Sequence, residues 1–310
     1  MTLSDASPDR KTLILGTALW GWSVDRVAAH HILDKYVALG GHIIDTAVNY
    51  PINKKPEDFG LAVTWISDWI KVNGSEDLSV LVKIGSTDNI GGTSSDLGVA
   101  NIIHSEAFLR YHFNKALAAI AIHWDNRGEE GNDHDGISNT VNALSKLQET
   151  GLSIGFSGVK RPDLYLKLAP ELADKWWIQV KENVLTSESY LNYVKYFPKA
   201  HYLAYGINMG GLTSEVQSEN SSAVLRGIKR PENLIERLSA FINTNHKLEP
   251  APKSLNELAL LSSFINPALC GVIIGPRNKK QLENSMFYWG SMKIEGLISD
   301  LAMLHKLKNI

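Results

Sequence analysis

Gly41-His-Ile-Ile-Asp45-Thr-Ala-Val-Asn-Tyr50 is the stretch from which the architecture can be read. His42–Ile44 is a short, mostly apolar run that opens after a glycine pair and stops at a carboxylate; a tyrosine follows five residues after that carboxylate. A run of this length between glycine and polar residues predicts a buried strand followed by a loop. The same design recurs. Leu81-Val82 runs into Lys83, and Ile120-Ala121-Ile122 runs into His123. Three buried strands, each ending on an ionisable residue, predict a sheet whose carboxyl edge carries chemistry.

Working outward, eight runs of this kind are found, at 12–15, 42–44, 79–82, 118–122, 153–156, 176–180, 201–204 and 271–274. Helical spacing fills several of the gaps. Val27, Ile32, Tyr36 and Leu39 share one helical face that stops at Gly40-Gly41; Leu61, Trp65, Ile66 and Trp69 share another, closed by Asn73-Gly74. Further helices are predicted over 137–150, ending at Gly151, and over 254–265, 278–288 and about 294–308. Strand–helix alternation implies a parallel sheet with helices outside it. Eight units in one chain, with no G-x-G-x-x-G fingerprint, favour a closed (β/α)8 TIM barrel over an open doubly wound sheet. The expectation is one domain over residues 1–310 with an extra C-terminal helix. Three long loops, 85–100, 124–136 and 205–219, fall on the same face as the strand ends.

The composition is that of an ordinary globular protein, 44% hydrophobic and 21% charged over 310 residues. A formal charge of −2 gives no reason to expect binding to nucleic acid or to an anionic membrane. The lone Cys270 sits in an apolar run, which rules out an intrachain disulfide framework and reads as a small buried hydrophobe. Residues 1–11 lack the apolar core of a signal peptide, and no stretch approaches the ~18 apolar residues of a membrane span. A cytoplasmic location is expected.

In a barrel, Asp45, Lys83, His123 and Tyr50 converge at one mouth. Proton transfer coupled to hydride transfer suits them. A free tyrosine, with a pKa of about 10, is a poor proton donor near neutral pH. An ammonium ~4 Å away, at an effective dielectric near 20, interacts with the phenolate by about 4 kcal/mol, roughly three pKa units at most. A carboxylate beside the lysine keeps that ammonium charged. Asp45 would thus hold Lys83 protonated, Lys83 would tune Tyr50, and His123 would orient a substrate carbonyl. Each residue alone has an ordinary structural explanation, as an N-cap, a snorkelling lysine or a satisfied core histidine. Their succession at strand ends favours the joint reading.

These segments resemble the aldo-keto reductase family. Gly41–Tyr50 is similar to its G-x-x-x-x-D-T-A-x-x-Y signature, Gly16-Thr17-Ala18 to its opening G-T turn, Val82–Gly85 to its lysine strand and Ile122–Asp125 to its histidine strand. The resemblance implies a (β/α)8 barrel with Asp45, Tyr50, Lys83 and His123 as the catalytic tetrad. It implies NADPH, or less often NADH, bound across the mouth. Thr17 and Asp45 are implied cofactor neighbours. Ile154–Gly158 resembles I-G-V-S-N, which implies that Ser157 contacts the nicotinamide carboxamide, with Gly158 where the family has asparagine. Gln179 matches a second carboxamide ligand, and Tyr205 the tyrosine that stacks on the nicotinamide ring. Residues 207–213 lack the family's proline and are one residue shorter. Gly275, Arg277 and Gln281 match P-G-x-R-x-x-x-Q, implying that Arg277 holds the adenosine phosphate, which favours NADP. Glu283-Asn284 resembles an adenine-side E-N pair, one residue early, and makes Asn284 a candidate.

Trp20, Trp22 and Trp124 follow strand ends and are candidate walls of a substrate pocket. Gly91–Ser95 reads as a flexible loop. Gly155–Gly158 misses the nucleophile-elbow spacing, which excludes a serine hydrolase of that type. The acidic loop Asn132–Gly136 lacks EF-hand spacing, and no metal site is expected. The resulting expectation is an NAD(P)H-dependent reductase of an aldehyde, ketone or sugar carbonyl, acting as a monomer or small homo-oligomer. The competing readings are a cofactor-binding regulatory subunit with little turnover, and a Schiff-base enzyme using Lys83, to which Asp45 is unfavourable because a charged lysine is a poor nucleophile.

Overall fold

A computed structural model describes residues 11–74, 77–128, 133–211, 233–244 and 250–293. The helix expected over 294–308 and the loop 205–219 beyond Gly211 lie outside the described residues.

Eight parallel strands close into a barrel in sequence order. They are β1 (Thr12–Gly16), β2 (Ile43–Ala47), β3 (Ser79–Ile84), β4 (Leu117–Ile122), β5 (Ser153–Phe156), β6 (Trp177–Lys181), β7 (His201–Tyr205) and β8 (Leu269–Ile274). The helices described around it are α1 (Arg26–Ala38), α2 (Leu61–Asn73), α3 (Val99–Phe113), α4 (Asp133–Glu149), α5 (Pro162–Leu168), α6 (Glu188–Val194), α7 (Leu234–Thr244), α8 (Leu255–Ile265) and α9 (Lys279–Ser291). β1 meets β8 with Thr12 opposite Gly271, which completes the closure.

The period of two along each strand sorts side chains into two cores. Leu15, Ile44, Val80, Val82, Ile120, Ile154 and Ile178 point outward and pack beneath the helices. Ile14, Ile43, Leu81, Ala119, Ala121, Trp177 and Leu203 point into the barrel. The interior is filled by matching large to small. A Cβ added to Gly155 would lie 1.9 Å from the carbonyl oxygen of Trp177, so glycine is what lets β5 lie this close to the β6 backbone. Gly41 has a similar reason to be glycine. Its added Cβ would fall 2.3 Å from the ring of Tyr36, whose hydroxyl lies 2.9 and 2.8 Å from the carbonyls of Leu13 and Ile43.

Several strands run further than their apolar stretches. β2 continues through Asp45 to Ala47, and β3 through Lys83 to Ile84, with Ala47 opposite Lys83 in the ladder. The side chain turns ionic while the backbone keeps pairing. In α1, Ala29, Ile32, Leu33 and Tyr36 form the buried face, whereas Val27 is 66% exposed and lies off it. α3, α7 and the seven-residue α5 and α6 were not expected from spacing. α4 begins at Asp133, so the end of the expected 124–136 loop is helical. Among the described residues, no helix is long and apolar enough to cross a membrane.

Candidate active site

The same period of two builds the site. Asp45 stands two residues beyond inward-facing Ile43, Lys83 beyond Leu81, His123 beyond Ala121, Gln179 beyond Trp177 and Tyr205 beyond Leu203. The polar residues are therefore the top layer of the barrel interior, resting on an apolar layer below.

At the centre, Lys83 Nζ donates to both carboxylate oxygens of Asp45, at 2.7 and 2.6 Å. Both residues are buried, at 2% and 3% exposure. Gln179 Nε2 donates to Asp45 Oδ1 at 2.6 Å. Burial by itself pulls the Lys83 pKa down; the charge of Asp45, the neighbouring Tyr50 and hydrogen bonds to both outweigh it, and the net shift is upward. The lysine is thus held as an ammonium inside the barrel. Its Nζ lies 5.1 Å from the centroid of the Tyr50 ring. That ring meets His123 edge-on at 5.6 Å and 80°. The four residues expected to act together are together.

Further contacts fix the surroundings. Thr17 is fully buried, and both its backbone N–H and its hydroxyl donate to the carbonyl of Asp45, at 3.1 Å each. Thr17 therefore anchors β2 to the first strand-end turn. The imidazole of His123 lies 4.0 Å from the Trp124 ring, and its Nδ1 is 3.0 Å from Ser86 Oγ. Trp124 Nε1 donates to Ser94 O and Asn126 Nδ2 to Thr93 O, each at 3.3 Å, so the Gly91–Ser95 segment is tied to the loop after β4. Trp22 is half-buried, whereas Trp20 is wholly enclosed in the core and does not border the mouth.

Ser157 follows β5 and Tyr205 ends β7, so the two stand on the rim on either side of β6 and its Gln179. Burial, ahead of the nearby Tyr50, raises the Tyr205 pKa. With its Nε2 engaged by Asp45, Gln179 has its amide oxygen as the remaining acceptor. A hydroxyl that can donate or accept, an amide oxygen that accepts and an aromatic face that can stack, on successive strand ends, suit a nicotinamide carboxamide and its ring. At the far side, Asn278 caps α9 by accepting from Gln281 N at 2.9 Å, and Gln281 Oε1 accepts from Arg277 N at 2.9 Å. Gln281 thus shapes the turn that presents the exposed Arg277 just ahead of a helix N-terminus, a combination that suits a phosphate. Gly275 lies beside it at the end of β8, its Cβ position 3.8 Å from Leu19 Cδ1. Glu283 pairs with Lys35 on α1, at 2.6 Å. Asn284 borders a surface recess of about 320 Å³ with Lys253, Glu257, Phe287 and Tyr288.

Sequence reasoning missed two groups. Ser86 gave no signal, because a serine after a glycine reads as a turn. Asp125, buried at 1% exposure, accepts from Arg127 at 2.9 and 2.7 Å and from the Tyr165 hydroxyl at 2.7 Å. Its backbone N–H donates to Gly158 O and its carbonyl accepts from Lys160 N. This extends the β4–β5 pairing past both strands and braces His123 against Ser157. Among the described residues, no group of three or more His, Cys, Asp or Glu is placed to hold a metal. Cys270 is a buried free thiol.

The family model described as "Aldo/keto reductase family" matches residues 12–295. "Protein tas" of Escherichia coli strain K12 is 24% identical, covering 97% of this chain and 96% of that protein; "Protein tas" of Shigella flexneri matches equally. Among solved structures, "aldo-keto reductase AKR11C1 from Bacillus halodurans (holo form)" superposes with a TM-score of 0.69 at 17% identity. That match covers 95% of this chain and 91% of the other.

Proposed function

The chain belongs to the aldo/keto reductase family, and from that premise we propose that it reduces an aldehyde, ketone or sugar carbonyl to the alcohol with NADPH, Tyr50 giving the proton. The observation that carries this reading is the buried Asp45–Lys83 ion pair beside the Tyr50 and His123 rings at the barrel mouth.

The nicotinamide, when bound, supplies the hydride. The side chains do the rest. Tyr50 transfers its hydroxyl proton to the carbonyl oxygen as that oxygen becomes an alkoxide. The phenolate left behind is stabilised by the Lys83 ammonium, whose charge Asp45 maintains. His123 donates a hydrogen bond to the same carbonyl and fixes its direction. Tyr50, Lys83 and His123 are all less than a tenth exposed, so these interactions act with little competition from water. Ser157, Gln179 and Tyr205 hold the nicotinamide end, near Thr17 and Asp45; Arg277 and the first turn of α9, with Gly275, Gln281 and Asn284 nearby, hold the adenosine end. A guanidinium there pairs with a 2′-phosphate, which supports NADPH over NADH.

The test is cofactor oxidation over a panel of aldehydes, ketones and sugars with NADPH and NADH in parallel. Tyr50→Phe is expected to bind NADPH normally and to lose on the order of 100-fold or more in kcat. A Tyr50→Phe enzyme with wild-type turnover would remove the assignment.

A further inference from the structure

We propose that Ser86 is a positioning residue for His123: its hydroxyl donates to Nδ1 and so fixes the neutral imidazole with its proton on Nε2. The inference rests on the reductase reading above and concerns how that site is prepared.

The 3.0 Å contact between Ser86 Oγ and His123 Nδ1 is buried, the two residues being 6% and 8% exposed. Both backbones are fixed independently of it. Ser86 follows Gly85, which has φ +96° and no room for a Cβ, since that atom would lie 2.5 Å from Leu97 Cδ2. Asp96 N donates to Gly85 O at 2.8 Å, and Ser86 pairs with Ser95 across the loop. His123 N donates to Ile84 O at 3.0 Å, and the ring is held between Trp124 and the edge contact with Tyr50. With both partners fixed, the hydrogen bond chooses the tautomer rather than the position of the ring.

The chemistry settles its direction. A neutral imidazole has one N–H and one bare nitrogen, and the partner of one nitrogen decides the state of the other. A serine hydroxyl can donate or accept. If Nδ1–H donated to Ser86, Nε2 would present a lone pair to the carbonyl oxygen, two acceptors facing each other. If Ser86 donates, Nε2–H faces the carbonyl and can orient it. Only the second arrangement serves reduction.

The experiment uses the full-length protein labelled with 15N-histidine, saturated with NADPH, and reads the His123 tautomer by long-range 15N–1H correlation. The wild type is expected to show a bare Nδ1 and a protonated Nε2. Ser86→Ala is expected to give a mixture of tautomers and to lower kcat by about 2- to 13-fold, as for one net hydrogen bond, with the NADPH Kd unchanged. Ser86→Thr keeps the hydroxyl and should restore both readouts. A wild-type spectrum with Nδ1 protonated, or a Ser86→Ala spectrum identical to wild type, would overturn the proposal. The tautomer is visible without turnover. Loss of the reductase reading through Tyr50→Phe is therefore distinguishable from failure of this inference, which the spectrum alone decides.

Discussion

Replacing Lys83 by methionine separates what the buried ion pair does for catalysis from what it does for stability. Methionine, an unbranched side chain one atom shorter, keeps most of the length and volume and removes the charge. In the native site the ammonium stands 5.1 Å from the Tyr50 ring. At that distance and an effective dielectric near 20, a unit charge stabilises a developing phenolate by about 3 kcal/mol, roughly a 200-fold effect on rate. Asp45, bonded to the same ammonium, offsets part of this field, so 200-fold is the ceiling and a loss of about 10- to 200-fold in kcat is expected. Stability responds differently. Lys83→Met leaves the Asp45 carboxylate, 3% exposed, with Gln179 as its neighbour, and breaking a buried pair in this way costs about 3–5 kcal/mol. Adding Asp45→Asn removes the stranded charge, so the double variant should recover most of that stability and none of the activity. The assays are NADPH oxidation with the best carbonyl of the panel and urea unfolding of wild type, single and double variants. Turnover of Lys83→Met within about threefold of wild type would refute the electrostatic role. A double variant as unstable as the single one would refute the account of the pair.

Asp125→Ala should cost about 3 kcal/mol in urea unfolding, the lower part of the range for a broken buried pair, because Arg127 is 26% exposed and can rehydrate; an unchanged midpoint would show that the brace carries nothing. Gly155→Ala should destabilise by more than about 3 kcal/mol or fail to accumulate, since the new methyl would overlap the Trp177 carbonyl; a soluble variant with wild-type unfolding would contradict the packing described for β5 and β6. Burial, opposed by the nearby Cys270, brings the Lys11 pKa down from 10.5 to about 8. Between about pH 8 and 10.5 the unfolded chain then binds more protons than the native one, so this residue makes stability rise with pH across that window and opposes folding below it. Lys11→Met should accordingly flatten the rise of Tm with pH across that window; a variant that keeps the wild-type pH slope would contradict the linkage.

What the sequence disclosed and what it withheld divide along a physical line. Asp45, Lys83 and His123 were legible because each ends a buried run, and a parallel barrel must bring such ends to one rim. Strand ends were understated for the same reason, since polarity changes at Asp45 and Lys83 while the ladder continues to Ala47 and Ile84. Ser86 and Tyr165 were not legible. Their partners, His123 and Asp125, lie 37 and 40 residues away, on elements whose mutual register no local pattern encodes. The pairing of Glu283 with Lys35 joins α9 to α1 and was likewise not legible from local pattern. The short α5 and α6 carry too few turns for a periodic signal to stand out.

The barrel interior is sorted by height, and that sorting explains why an ionic cluster can persist in a core. Ile43, Leu81, Ala119 and Trp177 fill the lower interior without polar atoms that need partners from the ring above, apart from the Trp177 indole. The layer above them holds Asp45, Lys83 and Gln179, joined by bonds of 2.6 to 2.7 Å. A well-packed apolar replacement of such a pair is often neutral or stabilising, so fold stability alone gives no reason for its presence. Parallel closure supplies eight strand ends on a rigid rim, and the period of two selects one inward residue from each. An ammonium held at that level by a carboxylate, with a phenol and an imidazole beside it, has its partners in place before any substrate arrives. The cost of desolvating it is met during folding rather than during turnover, which is the condition under which a buried charge can stabilise a transition state.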